Sequence, residues 1–446
     1  MLIWIVATTG GRQIFAKEAL GDAFDSQAEH FLRGNVDVDG DAIRWEAMII
    51  DGKARMYFGP FPALLRIPLN LIYPAGRGTW SRISGFLAGE VALFAFTGLV
   101  SNALRSSSLS ARARSWLAGA CMIGFVFGSP LLFLLASPSI YNEAIIWGFG
   151  WSMAALFFGL RCRNGEGREL VVSLIAFSLC ASAALLSRVT FGAPLLLMAP
   201  LLALCLPRAN RLRLLAALFV PLGAGLAFYL SLSYARFGTF VGTSFEHYIN
   251  SVHREFTHDY GIFNLRRVPY SLADYFGLGF PSLQAQAPFL KAGRHFFSLP
   301  DLYSLRFSET YVSVPWASSW LLAGAILGVI CLARRNGADL FERGVGVAFA
   351  LQCLCILSFY NLAQRYSVEL YPFLIFCLLV FLRSGGVLLT RAYRVIIALV
   401  LVSITINSLA TVSWLVDSDQ NVQPETRAIL NRLLGRSSPG VTTESK

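Results

Sequence analysis

The chain has 446 residues, of which 55% are hydrophobic and only 14% charged, and its mean hydropathy is +0.58. A soluble domain carries about 25% charged residues, so composition excludes a soluble enzyme, a disordered chain and a small disulfide-stapled secreted domain. The net charge of +11 does not indicate nucleic acid either, because the arginines are scattered through short segments between apolar runs and only four residues are lysine.

Apolar runs of 17 to 24 residues recur along the chain, each long enough to cross a hydrocarbon core of about 30 Å at about 1.5 Å per residue. They predict an all-α polytopic membrane protein with about 11 transmembrane helices. The expected spans are 1–9, 83–104, 115–136, 141–160, 170–187, 190–207, 214–235, 315–333, 345–361, 367–382 and 395–415. Met1–Thr9 is followed at once by Gly10, Gly11 and Arg12, so it reads either as an incomplete first helix or as a half-span held by its neighbours. It lacks the basic start and small-residue exit of a signal peptide.

Charge sets the orientation. Arg105, Arg112 and Arg114, then Arg161, Arg163 and Arg168, then Arg208, Arg211 and Arg213, then Arg334, Arg335 and Arg343, then Arg383, Arg391 and Arg394 occupy alternate short connections. The connections between them hold only Arg188 and Arg365, so the arginine-rich set is expected to be cytoplasmic. This leaves three extracytoplasmic regions: an acidic loop over 10–82, a second long loop over 236–314, and a tail over 416–446. They are separated by helical blocks at 83–235 and 315–415. Leu64, Leu65, Ile67, Leu69, Leu71 and Ile72 in the first loop suggest an interfacial segment. In the tail, Pro424, then Ile429, Leu430, Leu433 and Leu434, then Gly435, read as a short amphipathic helix with a proline start and a glycine stop. All eight cysteines lie in apolar runs or at their ends, and their spacing suggests no zinc site.

Mid-span ionisable groups mark transport paths, and only Glu90 is so placed. It reads as a carboxylate paired to a neighbouring helix, with proton relay as the alternative. Nearby Gly85 and Gly89 form a small-xxx-small face, as do Gly124 with Gly128 and Gly324 with Gly328. The acidic groups instead crowd the first loop, from Glu18 to Asp51. Asp37-Val-Asp39-Gly-Asp41 has the opening spacing of a calcium loop, but Ala42 and Met48 replace the glycine and the glutamate that such a loop needs. A solvated acidic turn is the simpler reading. No metal ligand is assigned, and a divalent cation is left as the one cofactor compatible with the turn. At the hairpin ends on the arginine-poor side stand Glu143, Arg188, Arg365 and Glu369, beside Tyr141 and Tyr366. Guanidinium forks suit a phosphate there; mutual ion pairing or snorkelling to lipid is the alternative.

The string Asp22-Ala-Phe-Asp25-Ser-Gln-Ala28, running to Phe31-Leu-Arg-Gly34, follows the first span. Asp51-Gly-Lys-Ala-Arg-Met-Tyr57-Phe58-Gly59-Pro60-Phe-Pro62 closes the acidic region. Tyr141-Asn-Glu143-Ala, Gln364-Arg365-Tyr366 with Pro372, and Arg236-Phe-Gly238 mark later hairpins. Together with the alternation of loops, these strings resemble the GT-C glycosyltransferases, in particular bacterial relatives of protein mannosyltransferases and lipid A aminoarabinose transferases. The resemblance covers most of the chain as architecture. It implies a GT-C-like fold in a bacterial cytoplasmic (inner) membrane, a polyprenyl-phosphate-sugar donor, and a glycan or lipid acceptor among the membrane lipids. One departure is that the family's adjacent Asp-Glu pair in the first loop is absent; Glu18, Asp22 and Asp25 lie near its place, and Gly59 stands where some relatives carry a carboxylate.

Transfer from a phosphate carrier needs a carboxylate to deprotonate or orient the acceptor hydroxyl and cations to take the charge growing on the leaving phosphate. The expected roles are therefore Asp22 or Asp25 as base and Arg188 with Arg365 on the phosphate. Glu143, Tyr57, Tyr366, His247 and Glu369 complete the substrate site. His247 and His253 also fit ordinary loop hydrogen bonds. Competing readings are a transporter or flippase for a lipid-linked saccharide, a polysaccharide ligase or polymerase, and a catalytically inactive lipid-binding relative.

Overall fold

The computed structural model describes residues 1–163, 165–240, 242, 245–293, 297, 299–303, 309–334, 339–418 and 422–436. Arg335 of the expected inner loops lies outside them. The principal helices are α1 (Leu2–Ala7), α2 (Asp22–Leu32), α3 (Phe61–Ile72), α4 (Ser81–Arg105), α5 (Ala111–Phe127), α6 (Leu131–Ala136), α7 (Ile140–Arg161) and α8 (Gly167–Ser187). They continue with α9 (Val189–Cys205), α10 (Arg211–Phe237), α11 (Ser251–Tyr260), α12 (Ser319–Ala333), α13 (Leu340–Leu357), α14 (Tyr371–Ser384), α15 (Gly386–Ser413) and α16 (Pro424–Leu433). Among the described residues, sheet is confined to two small antiparallel hairpins, β1 (Met48–Ile50) with β2 (Lys53–Arg55) and β3 (Ser282–Leu283) with β4 (Leu290–Lys291).

Among the described residues, seven helical stretches are long and apolar enough to cross a membrane: Ser81–Arg105, Ile140–Arg161, Gly167–Ser187, Arg211–Phe237, Leu340–Leu357, Gln364–Ser384 and Gly386–Asp417. With the shorter apolar helices α9 and α12 they form an all-α membrane protein. The other expected spans correspond to shorter pieces. The run at 115–136 is divided into α5 and α6 at Gly128-Ser129-Pro130, because proline cannot continue the amide ladder. The carbonyl left at Gly128 is satisfied across the bundle by Trp320 Nε1 at 2.9 Å and Ser318 Oγ at 3.0 Å, as backbone in an apolar medium requires. The expected first span is the six-residue α1, packed on α4 through the Trp4–Phe86 edge contact. Arg82 of α4 ties it down, donating to the Ala7 carbonyl at 3.2 Å and, through Nε, to Glu18 at 2.5 Å.

Helix α7 packs between α4 and α8, α8 on α10, α9 on α13, α12 on α14, and α15 on α5. Glycine sets the closest approach: a Cβ at Gly328 of α12 would fall inside the Cys377 carbonyl of α14. Glu90 is half-buried on α4 and makes no ion pair or hydrogen bond among the described residues, so the expected pairing to a neighbouring helix is not present.

The two long loops and the tail pack together at one end of the bundle. Met48 bridges to Tyr248, Ile249 N–H donates to the Ala47 carbonyl at 3.0 Å, and Thr426 Oγ1 donates to Gln13 at 2.7 Å. Helix α16 begins on Pro424 and is followed by Gly435 at a positive φ of 66°, which glycine adopts without steric cost.

Candidate functional site

The Asp51-Gly52 turn joins β1 to β2 with both residues at positive φ (52° and 73°), the geometry a two-residue hairpin favours. This fold-back carries the chain from Glu46, at the end of a 3-10 turn, to Tyr57 beside it. The Glu46 carboxylate then accepts three phenol hydrogen bonds, each 2.6 Å long: Tyr57 and Tyr248 on Oε2, and Tyr141, from the first turn of α7, on Oε1. Trp45 Nε1 donates to the Tyr141 hydroxyl at 3.2 Å. Burial and then the neighbouring Glu46 charge raise Tyr57 and Tyr248 well above the usual phenol range, so both remain donors.

The Arg365 guanidinium lies 4.7 Å from the Tyr141 ring centroid and 5.0 Å from that of Tyr366. Arg188 sits on the same Tyr366 ring at 5.5 Å. The two arginines that sequence analysis selects are thus neighbours around one aromatic ring, joined through Tyr141 to Glu46. Each has a carboxylate partner: Arg188 Nε bonds the buried Glu369 at 2.6 Å, and Arg365 Nη1 bonds Glu309 of the second loop at 2.5 Å. Arg188 is 23% exposed, and both of its terminal nitrogens are without hydrogen bonds among the described residues. Gly59 explains how this corner is built. A Cβ there would fall inside the carbonyl oxygens of Leu186 and Ser187, so the first loop closes directly on the backbone that precedes Arg188, and no side chain fits at this position.

Asp22 and Asp25 occupy a different position. Asp25, Arg66 of α3 and Glu143 of α7 are all fully buried. Arg66 Nη2 grips Glu143 at 2.7 and 2.9 Å, while its Nε is 3.6 Å from Asp25. Asp25 also accepts from Asn70 Nδ2 at 2.8 Å and from the Gly78 amide at 3.2 Å. Burial raises the Asp25 carboxyl above its ordinary range, Glu143 adds to this, and Arg66 with the two hydrogen bonds opposes it. Asp22 is half-buried against Gly78. Neither aspartate contacts Arg188 or Arg365, and Glu143 serves Arg66 rather than the two selected arginines.

His247 is exposed on its turn, and its neighbour Tyr248 supplies the contact instead. His253 is buried, shares a 3.0 Å hydrogen bond with the Tyr360 hydroxyl, and is lowered to about 4 by burial and by the Arg365 charge. In the acidic turn, Asp37 and Asp39 flank His30 at 3.4 Å each, with Lys53 and Arg77 beside them. Among the described residues, no three His, Cys, Asp or Glu side chains gather as a metal ion requires.

Sequence reasoning missed Glu46, Glu309, Tyr248 and Arg66. Arg66 carried a signal, since a single charge within Leu64-Leu65-Arg66-Ile67 must be paired once its helix packs. No family model, curated protein or solved structure matches the chain.

Proposed function

We propose that the protein is a GT-C-type membrane glycosyltransferase, moving a sugar from a polyprenyl-phosphate carrier to a lipid or glycan acceptor at the bundle end that carries the long loops. In this reading that end is extracytoplasmic, by the arginine distribution of the short loops. The observation that carries the proposal is the convergence of Arg188 and Arg365 on Tyr366, one phenol away from a carboxylate held by three tyrosines.

The chemistry divides between these groups. Arg188 offers its free fork to the carrier phosphate, and Arg365 adds positive charge as the glycosidic C–O bond to that phosphate breaks. Glu46 takes the acceptor hydroxyl in place of one phenol and receives its proton as the new C–O bond forms. Asp25 is a poorer choice for that role, because it is fully buried beside Arg66 and contacts neither Arg188 nor Arg365. Glu369 and Glu309 hold the arginines in register while the site is empty.

The test is transfer from a radiolabelled polyprenyl-phosphate sugar in proteoliposomes. Glu46→Gln and Arg188→Ala should each abolish transfer while the protein still elutes as a folded species. Full turnover in both removes the proposal. Sugar movement across the bilayer without bond formation, in the unmodified protein, favours a flippase.

A further inference from the structure

Among the described residues, four arginines are buried: Arg66, Arg82, Arg236 and Arg267. Three have a counter-ion or a set of carbonyl acceptors, although Nε and Nη1 of Arg66 make no hydrogen bond among the described residues. Arg66 holds two carboxylates and Arg82 holds Glu18. Arg267 donates to five carbonyls, those of Leu302, Ile262, Ser358, Tyr260 and Gly261. Arg236, in the last turn of α10, is 3% exposed, and among the described residues its side chain makes one hydrogen bond, from Nη1 to the Phe58 carbonyl at 3.0 Å. Its guanidinium lies 5.9 Å from the Phe31 ring centroid. Nε and Nη2 are buried without a partner, and no carboxylate among the described residues lies within ion-pair distance.

A guanidinium stays charged at any physiological pH, and a buried charge without a counter-ion costs several kcal/mol. The carbonyl end of α10 offsets only part of this, about half an elementary charge, and a second arginine already uses that end. Arg55 Nη1 donates to the carbonyls of Ala235, at 3.0 Å, and Arg236. Arg55 Nε is also buried and unpartnered, and its ion-pair partner, Asp51 at 3.8 Å, is 86% exposed and hence screened. Two guanidiniums therefore share one helix end with an excess of positive charge.

The unpaired donors of Arg236 are the adjacent Nε and Nη2, the edge that binds two oxygens of one anion side by side. Beside it, the exposed Tyr234 and Phe240 stack with ring centroids 4.8 Å apart, and only 17% of the apolar window of α10 is buried. Exposed aromatic rings at the end of such a helix mark the headgroup level, where phosphates are the available anions. We infer that Arg236, with Arg55 beside it, forms a phosphate-binding site at the loop end of α10, separate from Arg188 and Arg365. The ligand is a phosphate oxyanion, carried by a lipid headgroup or free. This inference does not rest on the transferase reading.

The test uses the full chain purified in detergent, compared with Arg236→Gln and Arg55→Gln. Thermal stability is followed against inorganic phosphate, with chloride at equal ionic strength as control. In parallel, native mass spectrometry counts lipids retained from nanodiscs of phosphatidylglycerol or of a phosphate-free glycosyl-diacylglycerol. The unmodified protein should be stabilised by phosphate or retain one phosphatidylglycerol that the glycolipid does not replace. Arg236→Gln should weaken either effect at least about tenfold, equivalent to about 1.4 kcal/mol, Arg55→Gln should weaken it less, and Arg266→Gln, at an exposed arginine of the second loop, should leave it unchanged. Response to inorganic phosphate alone identifies a free anion as ligand, and phosphatidylglycerol retention alone identifies a headgroup. If Arg236→Gln does not fold, the unmodified protein and Arg55→Gln decide. Equal phosphate and chloride curves with no phosphatidylglycerol retained, or equal responses in the unmodified protein and the folded variants, overturn the site.

Discussion

The buried trio of Asp25, Arg66 and Glu143 gives the sharpest energetic prediction, because two carboxylates share one guanidinium out of contact with water. Each pair contributes about 4 kcal/mol of attraction at about 4 Å and an effective dielectric of about 20. Arg66→Met removes both attractions and leaves two buried carboxylates facing each other. After they relax and take up protons, the net loss should be about 3–5 kcal/mol, as for other broken buried pairs. Asp25→Asn behaves differently. It leaves the Arg66–Glu143 pair, in which Nη2 bonds both carboxylate oxygens, neutral and relieves the burial cost of one carboxylate. The Asn70 bond survives on Oδ1, while the new amide nitrogen faces the Gly78 N–H, forfeiting about 1 kcal/mol. The net change for Asp25→Asn should therefore stay below about 2 kcal/mol.

Denaturant unfolding in mixed micelles, read by tryptophan fluorescence, measures both variants. The pH dependence adds a second reading. Burial sets the folded Asp25 carboxyl above its unfolded value, so in that interval the native state holds a proton that the unfolded chain has released. Its contribution to stability is complete below the unfolded value and is lost as pH rises through the folded value. Asp25→Asn should remove that slope. Equal destabilisation by the two substitutions, or an Arg66→Met protein as stable as the original, would refute the reasoning.

Three further outcomes are expected. Replacing Tyr57, Tyr141 or Tyr248 singly by Phe should cost about 1.5–3 kcal/mol, since each loses one charge-assisted bond to Glu46, and double replacements should be non-additive in the same unfolding assay. Gly59→Ala should cost at least about 1–3 kcal/mol by overpacking against fixed backbone and should lower transfer activity by displacing the Arg188 corner, both read on the purified variant. His253 titrates at about 4 in the fold against about 6.5 when unfolded. Stability should therefore fall by about 3 kcal/mol as pH drops through that window, and His253→Gln should flatten this part of the profile.

Much of the bundle was legible because an apolar run has few alternatives: in lipid its amides must pair within the run, and the helix that results is as long as the run permits. The break at Gly128-Ser129-Pro130 was legible in principle from Pro130 but was masked by the apolar residues on either side. Arg188, Arg365, Tyr366 and Glu369 came together because charge at the tips of short hairpins on one face has little room to be elsewhere. Glu46 was hidden for the opposite reason. It is one carboxylate among many in the first loop, and its meaning comes from Tyr141 and Tyr248, which lie 95 and 202 residues further along the chain. The apolar residues on either side of Arg66 point to an interfacial segment; helix α3 does expose Leu71 and Ile72, but it turns its charge inward.

The pairing of the two site arginines also implies an order of events in the proposed transfer. Glu369 lies within the helical stretch Gln364–Ser384 and is fully buried, so it holds Arg188 Nε without moving. The terminal fork of Arg188 remains free and partly exposed, and a carrier phosphate reaches it without breaking any bond present in the empty site. Arg365 is covered by two aromatic rings and committed to Glu309, which belongs to the second loop rather than to a spanning helix. In the proposed transfer a phosphate meets Arg365 after Arg188, because the Arg365 guanidinium lies under the two rings with Nη1 already on Glu309. On the proposed reading, phosphate contact at Arg188 comes first, and Arg188→Ala should therefore weaken donor binding more than Arg365→Ala does, read as the affinity for the radiolabelled carrier; equal losses would refute this order.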